Sequence, residues 1–83
     1  MKLDQQTIAA QVAQLQTDIR GYHVQRIVME ARVADGATPT GNEGADNQLK
    51  NDAAVAANTI VMLDRMIATR QKMLDDLQAQ QGD

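Results

Sequence analysis

The chain contains no cysteine, no serine, no phenylalanine and no tryptophan. Without cysteine there is no disulfide, no thiolate metal site and no clue to redox compartment. Without serine or cysteine, the usual nucleophile-and-base constellations of acyl transfer have no nucleophile. His23 is the only histidine, and Glu30 and Glu43 are the only glutamates. One histidine cannot build a His-rich metal site within one chain, and the Glu-x-x-His spacing of di-metal helical bundles does not occur. The sequence therefore points to a non-enzymatic protein with no metal or other cofactor. No apolar run approaches the roughly 20 residues of a membrane span, and Met1–Thr7 lacks the apolar core of a secretion signal. These absences predict a soluble protein of the cytoplasm or of a phage-infected cell, without a membrane partner.

What is present favours helix. Ala and Gln are abundant, and the large apolar residues are Leu, Ile, Val and Met. Unbranched side chains lose little rotamer freedom in a helix, which is why they propagate it. A chain of 83 residues makes one small domain. The single proline, Pro39, and three of the five glycines fall between Asp35 and Asp46. This stretch predicts a loop over 35–46 that separates a helix over about 4–34 from a second over about 46–80.

Each arm carries a seven-residue repeat. In the first, Ile8, Val12, Leu15, Ile19, Tyr22, Arg26, Met29 and Val33 alternate in steps of four and three. In the second, Leu49, Ala53, Ala56, Ile60, Leu63, Ile67, Arg70, Leu74 and Leu77 do the same. The two stripes predict an all-α, antiparallel two-helix hairpin closed along a heptad seam. On apolar matching the preferred register pairs Val33 with Leu49, Met29 with Ala53, Arg26 with Ala56, Tyr22 with Ile60, Ile19 with Leu63 and Ile8 with Leu74. It centres the hairpin on Gly41. A register one heptad shorter sets Asn42 opposite Val33.

Local signals mark the helix ends. Asp4 or Thr7 can cap the first arm, and Gly36 sits where a left-handed residue often ends a helix. For the second start, Thr40-Gly41-Asn42-Glu43 fits a capping box, and Asp46 is the alternative cap. Gly21, in mid-helix, predicts a close helix crossing, a slight bend or room for a ligand beside Tyr22. The last residues, after Asp75 and Asp76, are expected to fray. The 35–46 stretch lacks the P-loop ending and the EF-hand spacing. Its charge is −3, from Asp35, Glu43 and Asp46. That predicts a solubilising cap or a contact for a basic partner.

Apolar residues also lie off the seam. Val55, Met62, Met66 and Met73 form a stripe whose gaps Thr59 and Thr69 fill, and Val24, Ile27 and Val28 add a second line on the first arm. A lone hairpin with such stripes exposed would be an unusually apolar monomer. They predict an oligomer interface, and a dimeric four-helix bundle is the simplest closed form. The most concentrated chemistry is Arg20, Tyr22, His23 and Arg26, with Arg70 as the other seam arginine. Arg and Tyr together can grip phosphate and stack on a base, so an anionic nucleotide held between chains is one expectation. The plainer one is that Arg26 extends to solvent or Glu30, and Arg70 to Asp64 or a partner chain.

The heptad-paired hairpin resembles the small dimeric RNA-binding four-helix-bundle proteins of the Rop type, through its repeat pattern and no shared motif. That resemblance would imply RNA binding, which the net charge of −3 disfavours. Size and Ala/Gln-rich helices are similar to those of phage accessory proteins, including fibre-assembly chaperones and sponges for defence nucleotides. The function expected is protein–protein interaction by a homo-oligomeric bundle, as assembly factor, adaptor, structural component or inhibitor. A nucleotide sponge is the alternative, and nucleic-acid binding the third.

Overall fold

The computed structural model describes residues 4–81. Helix α1 spans Gln5–Gly36 and α2 spans Glu43–Gln81. They pack against each other as a rod of 61 × 15 × 14 Å, with no strand among the described residues. The seam is where the heptads place it. Ile8, Val12, Leu15 and Ile19 of α1 and Ala56, Leu63 and Leu74 of α2 are buried. Ile67 and Leu77 pack against the cluster that joins the four α1 residues to Leu74. Leu49, Ala53, Ile60, Met29 and Val33 are half-buried. Side chains therefore pack most closely toward the N-terminal half of α1.

The register differs from the expected one. Gly36, not Met29, lies against Ala53: a Cβ built on Gly36 would collide with the Ala53 Cβ and fall 2.8 Å from the Leu49 carbonyl oxygen. The shift is one heptad, and Arg26 reaching Asp64, beside Leu63, agrees with it. The physical reason is at Gly36. It continues the seam three residues beyond Val33, and lacking a side chain it lets the two backbones approach where any other residue would hold them apart. Gly36 is thus not a left-handed terminator. The first helix continues through it into an ordinary right-handed turn at Ala37.

Both helices run further into the connector than the 35–46 loop predicts, leaving only residues 37–42 outside them. Gly41 has φ +87°, the only positive φ among the described residues. That conformation interrupts the helix and excludes a start at residue 41. Asn42 is the cap instead: its Oδ1 accepts the Ala45 N–H at 3.1 Å. Asp46 faces the other way, and its Oδ1 accepts both the Thr40 N–H at 2.8 Å and the Thr40 hydroxyl at 2.7 Å. Thr40 and Asp46, the two rival caps, are bonded to each other across the cap. At the other end, Asp4 occupies the N-cap position of α1 but makes no side-chain capping bond, and Thr7 lies inside the helix. Of the last residues expected to fray, those through Gln81 are helical, and Gly82 and Asp83 lie outside the described residues.

The contact at Gly36 sets a test of the register. Gly36→Ala forces the helices apart and should cost about 1–3 kcal/mol, the usual range for overpacking. Adding Ala53→Gly should recover only part of it, because the Leu49 carbonyl still crowds the new Cβ. Urea-unfolding midpoints of the single and double variants check this. A Gly36→Ala variant as stable as the parent contradicts the register.

Candidate functional site

Of the five residues singled out for chemistry, the structure brings Tyr22 and Arg70 together and draws Arg26 into a separate ion-pair group. Arg26 is taken up by its own neighbours. Its Nε donates to Asp64 Oδ1 at 2.7 Å, and its Nη1 pairs with Glu30. The two carboxylates hold the guanidinium in its charged form and raise its pKa, Asp64 contributing most. Arg26 is therefore paired with acidic neighbours on its own hairpin. Its counter-ions include Asp64, which the sequence offered to Arg70. Arg20 and His23 are exposed.

Arg70 behaves differently. Its guanidinium carbon stands 5.0 Å from the centroid of the Tyr22 ring, a cation–π distance. Its Nη1 leans toward the Met66 carbonyl at 3.5 Å. Among the described residues, no carboxylate lies within ion-pair distance of it. So Tyr22 and Arg70 form one unit across the seam, half-buried, with the guanidinium face on the ring and its edge toward Met66.

Two flanks border the seam, and they differ in character. Asp64 follows the seam residue Leu63, so the Arg26–Asp64–Glu30 group marks a charged flank. Thr59, Met66 and Met73 each precede a seam residue, and Val55, Met62 and Thr69 run parallel to them. All six fall on the opposite flank. The α1 side of that flank is identified by two grooves. One, of about 270 Å³, is lined by Gln11, Gln14, Leu15, Met73 and Leu77. The other, of about 370 Å³, is lined by Arg32, Asp52 and Val55. Gly21 and Val28 lie seven and fourteen residues beyond Gln14, on the same line.

The expected interface residues are thus divided. Val55, Met62 and Met73 are 67, 61 and 50 % exposed, Val28 is exposed beside them, and Met66 is half-buried. These five share the apolar flank. Val24 and Ile27, also exposed, lie off it on the back and charged side of α1. Val61 is exposed as well and escaped notice in the sequence. Its signal was a second seven-residue line, Ala54–Val61–Ala68, masked by the small residues around it.

At the acidic end, Asp46 Oδ1 is engaged by Thr40. Hydrogen bonds from the Thr40 hydroxyl and amide hold its carboxyl below the usual carboxylate range. A wedge-shaped space of about 110 Å³ remains between Gly36–Pro39 and Asp46 and Lys50. Among the described residues, no group of three or more His, Asp or Glu is placed to hold a metal ion. No helix of the described residues is long and apolar enough to cross a membrane. Comparison of the chain with protein-family models, with curated proteins and with solved structures finds no match.

The lowered pKa of Asp46 gives a pH dependence of known sign. The Thr40–Asp46 strap contributes fully above the ordinary Asp value of about 3.9 and is lost as pH falls through the depressed value. In an acid titration followed by NMR, the Thr40 amide should keep its hydrogen-bonded shift below pH ~4 and lose it only in stronger acid. In Asp46→Asn that late transition should vanish. A Thr40 signal that titrates as an ordinary carboxylate neighbour contradicts the strap.

Proposed function

We propose that this chain is a non-enzymatic, self-associating helical hairpin that acts by protein–protein interaction, as an assembly factor, adaptor, structural component or inhibitor. The observation that carries the proposal is surface. The chain exposes 6029 Å². A folded monomer of 9.1 kDa is expected to expose roughly 4,900 Å². The excess, about 1,100 Å², exceeds the ~800 Å² that one partner contributes to a standard interface. The exposed large apolar residues include Val55, Met62, Met73 and Val28 on one flank, with Val24, Ile27 and Val61 elsewhere. Seven buried residues among those described are a small core, and burying the apolar flank in a bundle would enlarge it. Methionine suits such a surface because its flexible thioether adapts to an irregular neighbour.

Replacing Val55, Met62, Met66 and Met73 together by Gln should yield a monomeric or unfolded chain. Light scattering that showed the parent's oligomer unchanged would count against the proposal.

Arg70 supports a second reading, an oligomeric sponge for an anionic nucleotide. A guanidinium over an aromatic ring, with one N–H turned to the Met66 carbonyl and no acidic neighbour at ion-pair distance among the described residues, keeps further donors for phosphate. Arg26, already neutralised, drops out of that site. Cyclic nucleotides should then raise the melting temperature of the parent, and neither Tyr22→Ala nor Arg70→Ala should respond. No shift in the parent with any nucleotide tested removes this reading.

A further inference from the structure

Gly21 has no use within the chain. A Cβ placed on it would meet nothing within 4 Å, so it is neither a crossing point between α1 and α2 nor forced by crowding. Its backbone is ordinary right-handed helix, with no positive φ. Alanine there would fit and would favour the helix. Gly36 shows the contrast, because there the missing side chain is filled by Ala53.

The place of Gly21 is informative. It lies on the apolar flank, on the line from Gln14 to Val28. Its neighbour Tyr22 lies under Arg70, which falls between Met66 and Met73 in α2. The glycine therefore cuts a notch in α1 at the middle of the methionine line. Gly21 is exposed, and nothing within 4 Å fills the place of a side chain there.

We propose that a second copy of this chain seats a helix in this notch, so that Gly21 is the point of closest approach in a two-fold dimer packed flank on flank. The inference rests on the self-association proposed above and names its surface. The exposed area in excess of a folded monomer is more than the ~800 Å² each partner gives to a standard interface. A second copy is also the occupant present whenever the chain is made, and a hairpin with so small a core needs such a partner. In a two-fold interface the same notch is used twice, so a single substitution acts at two places.

The test compares the parent with Gly21→Leu and with Ala13→Leu, which adds similar bulk at an exposed site on the charged flank. Sedimentation across a concentration series gives the dimer dissociation constant, and circular dichroism gives helicity. Gly21→Leu should weaken dimerisation at least tenfold while helicity at high concentration is retained, since leucine has room in the hairpin itself. Ala13→Leu should leave dimerisation within about twofold of the parent. A dimeric parent with Gly21→Leu unaffected, or with both variants equally weakened, overturns the notch and leaves self-association standing. A parent that is monomeric throughout overturns both. Gly21→Ala supplies the check on folding. If the notch is filled by a partner, its thermal midpoint falls at concentrations where the parent is dimeric; if the notch is open, helix propensity alone makes it rise, which overturns the proposal.

Discussion

The contact between Gly36 and Ala53 governs the rest of the hairpin. Two heptad stripes can slide past each other by seven residues and still match apolar to apolar, so the stripes alone leave the register degenerate. Only a local feature that tolerates one offset can resolve it. A glycine on the seam provides it, because the backbones can close only where its missing Cβ faces a small residue and the backbone of α2. From that one offset follow the position of Leu74 in the α1 cluster, the reach of Arg26 to Asp64, and the placing of Tyr22 under Arg70.

The seam and the hairpin were legible in the sequence because they rest on period, and every buried residue lies on one of the two predicted stripes. The register was not, because apolar matching weighs Val33 against Leu49 much as it weighs Val33 against Ala56. The sharper signal was Gly36 itself, which continues the first stripe but was read as a helix terminator. The connector was half legible. Thr40 and Asp46 both stood out, and each was treated as a cap in competition with the other. Their bond needs Gly41 at positive φ and Asn42 as the cap, a combination that no single spacing rule contains. At the candidate site, the pairing of Tyr22 with Arg70 depends on register, so it could not be found before the register was.

The charged and apolar flanks divide the work of a small helical protein. The Arg26–Asp64–Glu30 group adds little to stability as an exposed ion pair. It does favour one register, because a slip of seven residues would separate Arg26 from Asp64 while keeping it beside Glu30. The methionine flank has no such directional bonds. It offers area and adaptability, with open space beside the backbone at Gly21.

Tyr22 is the only aromatic residue in the chain. Near-ultraviolet absorption and fluorescence of this protein therefore come from one ring, in the middle of the rod, beneath one guanidinium. With no tryptophan to mask it, that ring is a built-in optical reporter. Its signal is local in origin yet responds to the mutual position of two helices, so the alignment of the whole hairpin can be followed without any label.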